Sequence, residues 1–137
     1  MSDIIKMMTE RSSGTTWEGT LASGRGTVRA TSGAWESLPS PVLAAAAHSA
    51  CFAMDLALRL GEHQVTADRL SITAILTLDD LDSVPTIVSS VLRVRGRVPG
   101  VDQAAFRTAV DEAAGLCPVS RLFAGAKVSV ESEFEPA

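Results

Sequence analysis

The longest run of apolar positions extends from Val42 to Leu60 and is broken only by His48, Ser49, Asp55 and Arg59. A run of this length predicts a helix. Ser40 suits its N-cap, Pro41 suits the first helical position, where the missing N–H costs nothing, and Gly61 suits a left-handed stop. Apolar residues occur nearly all round, so the helix is expected to be buried on most faces, against the rest of the chain or another subunit. A membrane span is the rival reading. It is set aside because the uninterrupted apolar stretches are short and His48, Asp55 and Arg59 would each be costly in lipid. Elsewhere the period is two. Leu70, Ile72, Ala74, Leu76 and Leu78 alternate with Arg69, Ser71, Thr73, Thr77 and Asp79, with Ile75 the exception, which predicts a half-buried strand over 68–79. After a polar turn at 79–85, Val88, Ser90, Leu92, Val94, Gly96 and Val98 form one face of a long strand, and Arg93, Arg95 and Arg97 lie on the other. The last strand sets Ala126, Val128, Val130, Ser132 and Phe134 inward and Lys127, Ser129, Glu131 and Glu133 outward. The Arg row is expected to face this Glu row across a sheet, as a salt-bridged surface rather than an anion or RNA site.

Residues 1–14 read as a loosely held N-terminal arm, ahead of a single domain over 15–137. The segments 15–21 and 27–31 are rich in β-formers, and the glycine-containing stretch between them predicts a hairpin. Gly24-Arg25-Gly26 completes no phosphate-loop pattern. Asp102 is the expected N-cap of a later helix with Phe106, Ala109, Val110 and Ala113 on one stripe, ending at Gly115. Cys117 precedes Pro118, which places it at the N-cap of a second, short helix running through Phe123 to Gly125. The order of strands, helix, two strands, two helices and a strand gives an α+β fold rather than a regular α/β alternation.

At 137 residues the chain is one domain, and 46% hydrophobic against 20% charged residues predicts a folded core. Two Trp, four Phe and no Tyr leave few stacking platforms, and a net charge of −4 argues against nucleic acid or an anionic membrane as partner. Two Cys and two His supply no structural zinc pattern, so no metal is expected. The opening MSDIIKMMTERSSG shows no continuous apolar core and cleavage site, and the compartment is read as cytoplasmic. In that reducing setting a cysteine pair is more often reactive than structural.

Thiol-based peroxide reduction needs a thiolate to attack the O–O bond, a donor for the departing oxyanion, and a second thiol to resolve the sulfenic acid. Two cysteines suffice. From the residues alone Cys117 has the better thiolate environment, at a helix N-terminus with Arg121 one turn on. Cys51, within an apolar helix, would have its pKa raised by burial. The bland alternative for each is a small buried hydrophobe. His48, three residues before Cys51, shares its helix face and is a candidate base or donor to the sulfur, against the alternative of a satisfied core histidine. Met54, one turn beyond, is read as packing.

The segments Ala45-Ala-Ala-His-Ser-Ala-Cys-Phe-Ala-Met54, with Leu-Ala-Leu and Gly61-Glu after it, and Ala113-Ala-Gly-Leu-Cys-Pro-Val-Ser120 resemble the paired cysteine motifs of the osmotically inducible protein C and organic hydroperoxide resistance (OsmC/Ohr) family. Trp17-Glu-Gly-Thr-Leu21, Gly24-Arg-Gly-Thr-Val28 and Val98-Pro-Gly-Val-Asp102 match the same family in the same order. The resemblance implies an intertwined α+β homodimer with antiparallel sheets wrapped around a long buried helix. It also implies a cofactor-free enzyme that reduces organic hydroperoxides to alcohols, with Cys51 as peroxidatic thiol, Cys117 as resolving thiol and a dithiol as reductant. The sequence departs from the pattern ahead of the helix. The stretch Gly33-Ala-Trp-Glu-Ser-Leu38 lacks the family's activating Arg, and Pro41 stands where a Glu is usual. Arg29 and Glu36 are the nearest stand-ins by sequence. This departure favours a second reading, a catalytically weakened dimer that binds a small apolar ligand at its interface.

Overall fold

The structure, a computed structural model, describes residues 9–30 and 40–136. Five strands, β1 (Thr9–Glu18), β2 (Arg25–Ala30), β3 (Arg69–Leu81), β4 (Val84–Arg97) and β5 (Lys127–Glu135), form one sheet in the order β2-β1-β3-β4-β5. Three helices, α1 (Ser40–Glu62), α2 (Gln103–Leu116) and α3 (Pro118–Leu122), complete the α+β fold. The strand periodicity decides which face the helices cover. Leu70, Ile72, Ala74 and Leu76 of β3 and Leu92 and Val94 of β4 point into one core with Phe52, Leu56 and Leu60 of α1 and Phe106, Ala109, Val110 and Ala113 of α2. The four α2 residues are the stripe expected from the sequence, and the Asp102 carboxylate accepts the Ala105 N–H at 2.8 Å as its cap.

The expected antiparallel pairing holds for β1 to β4 and fails for β5, which runs parallel to β4 from Ser89↔Lys127 to Arg97↔Glu135. The reason is topological. The chain leaves the far end of β4, crosses the sheet face through α2 and α3, and re-enters beside the start of β4, as a parallel pair requires. The described chain therefore contains one mixed sheet rather than several antiparallel ones. Its parallel register sets Arg93, Arg95 and Arg97 against Glu131, Glu133 and Glu135, and the charge rows meet as the sequence predicts. Arg93–Glu131 stands at 3.3 Å and Arg95–Glu135 at 2.6 Å on the open face. Such exposed pairs each contribute at most about 1 kcal/mol.

The N-terminal arm is shorter than expected. Residues 9–14 belong to β1 and pair with β3 from Thr9↔Leu78 to Gly14↔Thr73. Their polarity hides the strand, because the inward hydroxyls are satisfied by the helix: Ser13 donates to the Val42 carbonyl at 3.1 Å, and Thr15 bonds Ser49 at 2.9 Å. The polar turn at 79–85 is likewise mostly strand. Only Asp82 and Ser83 turn, both with positive φ, as in a two-residue hairpin loop. Helix α1 runs past Gly61, and the left-handed residue that ends it is Gln64 at φ 60°, with the Val65 N–H returning to the Leu60 carbonyl at 3.0 Å. By length and mean hydropathy Pro41–Glu62 could cross a membrane. In this fold it is the core helix over the sheet, with Leu43 and Met54 exposed on the side turned away.

Candidate functional site

Cys51 and Cys117 lie 66 positions apart in the chain and come together where α3 crosses α1. Cys51 projects from the middle of α1 at the margin of its covered face and is half-buried. Cys117 sits between two helices: it closes α2, donating its backbone N–H to the Ala113 carbonyl at 2.9 Å, and it precedes Pro118, the first residue of α3. Both thiols are free, and Cys117 is fully buried. The two side chains are neighbours, close enough for the Cys117 thiol to perturb that of Cys51.

Burial pushes the Cys51 thiol above its ordinary value, the Val119 backbone N–H donated to its sulfur pulls it down, and the nearby Cys117 and Asp55 push it up. The expectation that burial within α1 raises the Cys51 pKa is met. The amide at the start of α3 that was expected to favour a Cys117 thiolate serves the sulfur of Cys51, because α3 is packed with Val119 toward α1. Asp55, one turn along from Cys51, is paired with Arg59 at 3.3 Å.

His48 is fully buried, and both its ring nitrogens are engaged: Nδ1 with the Ser90 hydroxyl at 2.7 Å and Nε2 with the Ser120 hydroxyl at 2.8 Å. Its ring stands edge-on to Phe123, with centroids 5.0 Å apart. Of the two readings of His48, the satisfied core histidine is the one the geometry bears out, its ring forming a hydrogen-bonded string from β4 through α1 to α3. Burial lowers the His48 pKa to about 4. The fold thus refuses a proton that the unfolded chain accepts below about pH 6.5. Stability is unaffected by this group above that pH and falls as pH drops toward 4, by about 2–3 kcal/mol at pH 4.5. Urea unfolding at pH 7 and 4.5 checks this, with His48→Gln expected to lose that much less on acidification. An equal loss in both proteins would remove His48 from the effect.

Arg29 does not join the thiols within the protomer. It pairs with Gly14 in register, one residue out of phase with the inward-facing Ser13 and Thr15, so it is exposed on the sheet face opposite α1. Glu36 lies outside the described residues. Among the described residues no group of three or more His, Cys, Asp or Glu is placed to hold a metal. Ser90, Ser120 and the Val119 amide were not singled out from the sequence. Ser90 left a signal, a hydroxyl at an inward β4 position facing an apolar helix that carries one histidine. The Val119 contribution is made by backbone and leaves no side-chain trace.

A dithiol held between a core helix and a single helical turn, on a mixed sheet with helices on one face, defines the class of protein. The chain belongs to the family of OsmC-like proteins, whose family model matches residues 36–133. It is 34% identical over 120 residues to peroxiredoxin OsmC of Escherichia coli K12, covering 77% of this chain and 84% of that protein. The fold is shared with the OsmC-like protein of Mycoplasma pneumoniae (TM-score 0.64, 13% identity, 94% of this chain and 97% of that one). It is also shared with an organic hydroperoxide resistance protein from Elizabethkingia anophelis (TM-score 0.60, 19% identity, 87% and 96%).

Proposed function

We propose that the protein is a thiol peroxidase that reduces organic hydroperoxides to alcohols. The observation that carries this reading is that the fold makes Cys51 and Cys117 neighbours, with the Val119 backbone N–H donated to the Cys51 sulfur. The relative named peroxiredoxin and the hydroperoxide resistance protein of the same fold support it. In the proposed cycle the Cys51 thiolate attacks the terminal, hydroxyl-bearing oxygen of the hydroperoxide and the O–O bond breaks. The departing alkoxide takes a proton and leaves as the alcohol, and Cys51 becomes a sulfenic acid. The Cys117 thiol attacks that sulfur, water departs, and a disulfide joins the two residues. A dithiol reductant supplies two electrons and two protons to restore both thiols. The cycle uses no cofactor, needs a reducing compartment such as the cytoplasm, and calls for neither nucleic acid nor membrane. The unit is proposed as a homodimer that buries the α1 face bearing Leu43 and Met54, which are 50% and 46% exposed in one chain.

Reduced protein mixed with cumene hydroperoxide and dithiothreitol tests the reading by peroxide loss and by a mass decrease of two hydrogens in the oxidised chain. The thiolate is the nucleophile and burial raises the Cys51 pKa, so the rate is expected to climb about tenfold per pH unit between pH 7 and 8.5. A rate flat with pH would deny Cys51 this part. One observation favours a second reading: among the described residues no Arg or Lys is hydrogen-bonded to the Cys51 sulfur, and the charged side chain that acts on it most is the anion Asp55. A weakened OsmC-like dimer binding a small apolar ligand at its interface would show negligible peroxide loss.

A further inference from the structure

Helix α3 is one turn of five residues, with no side-chain cap and no fully buried residue of its own. A single turn is an unfavourable helical nucleus and does not hold its place unaided. It nevertheless carries two groups that must be placed closely, the Val119 amide on the Cys51 sulfur and, immediately before it, Cys117. His48 supplies the tie. Its Nε2 is bonded to Ser120, the residue after Val119, and its ring edge packs on Phe123. Its Nδ1 is anchored to Ser90 in β4. Each serine hydroxyl can donate or accept, so the string closes in either neutral tautomer. His48 and Cys51 are three residues apart on α1: one side chain grips the turn, and the other receives its amide.

We propose that His48 is a positioning residue that, through Ser120, holds the α3 turn so that the Val119 N–H stays on the Cys51 sulfur and Cys117 stays within bonding reach. This rests on the reading of Cys51 as the nucleophile. Two competing steps follow a sulfenic acid at Cys51. Attack by Cys117 gives the disulfide and water, whereas a second hydroperoxide gives the sulfinic acid and another alcohol. A released turn slows the first and leaves the second unchanged.

The test compares full-length wild type with Ser120→Ala, Ser120→Thr and His48→Phe, the last keeping the ring contact while losing both hydrogen bonds. Iodoacetamide alkylation of Cys51, followed against pH by peptide mapping, reads the amide's hold on the thiolate without peroxide. In Ser120→Ala and His48→Phe its midpoint is expected to move to higher pH by about half a pH unit or more, and in Ser120→Thr to stay at the wild-type value. Under excess cumene hydroperoxide the sulfinic fraction at Cys51 is expected to rise several-fold in the first two variants. A Ser120→Ala protein with a lower Tm but unchanged alkylation midpoint and unchanged sulfinic fraction would reduce the string to a structural role and overturn the proposal. Should His48→Phe fail to fold, Ser120→Ala decides alone, since it removes one oxygen from a half-buried position. A wild type that leaves peroxide untouched would remove the peroxidase reading, while the alkylation midpoints still decide whether the string holds the turn.

Discussion

Cys51→Ser is expected to consume cumene hydroperoxide no faster than buffer, a loss of at least about 10³-fold relative to wild type, as removal of a covalent nucleophile gives elsewhere. A serine hydroxyl at that place has no thiolate to offer, and the Val119 amide that eases ionisation of the sulfur cannot bring an alcohol near ionisation at neutral pH. Cys117→Ser should separate the two halves of the cycle. It retains the first step, releases one equivalent of alcohol per chain, and then stalls as a Cys51 sulfenic acid that excess peroxide carries to the sulfinic acid. Rapid-quench measurement of alcohol against chain, with intact mass of the protein, reads both variants. Peroxide loss that persisted in Cys51→Ser would take the nucleophile role from that residue. Steady turnover in Cys117→Ser with dithiothreitol at low peroxide would show that the reductant reaches the sulfenic acid directly. Equal, negligible loss in wild type and Cys51→Ser would favour the binding protein.

Much of this site is written in local spacing. Pro41 and the apolar run after it define α1, and the spacing of Phe106, Ala109, Val110 and Ala113 defines the buried stripe of α2, because both depend only on helical period. The Arg and Glu rows pair as period two predicts, although their strands run parallel, since alternation fixes the face and leaves the direction open. What the sequence hides is set by packing. The inward hydroxyl of Ser13 reads as part of a loose arm until the Val42 carbonyl is seen to satisfy it. The two thiols attract opposite expectations when each is placed in its own helix. Only the crossing of α3 over α1 shows that Cys117 is buried and that the Val119 amide serves Cys51, where it opposes the burial that raises the pKa of that thiol. The choice of Arg29 as stand-in cation shows the same limit: it is near in sequence, but its strand phase places it across the sheet.

The largest expected effect on stability comes from Gly96 and Phe106. Gly96 occupies an inward position of β4 where its neighbours carry Leu92 and Val94, and the space that its missing side chain leaves is filled by the ring of Phe106. A Cβ at Gly96 would fall within contact of the ring at Cε1 and Cζ and stand 3.3 Å from Leu70 Cδ2. The ring cannot simply swing aside: Phe106 is 1% exposed and is stacked at a tilt on Phe134, with centroids 5.5 Å apart. Phe106→Ala is expected to cost about 3–5 kcal/mol by opening a cavity against the bare backbone of β4. Gly96→Ala is expected to cost about 1–3 kcal/mol by overpacking. The double variant should lose clearly less than the sum of the two, because the methyl enters space the ring has left, and urea unfolding of the four proteins measures this coupling. Additive losses would mean that the ring and the glycine do not share one space. The consequence reaches the chemistry because Phe106 anchors the helix whose last turn accepts the Cys117 N–H. Even where the single variants remain folded, disulfide closure between Cys51 and Cys117 is expected to slow as α2 loosens, while alkylation of Cys51, carried by α1, changes less.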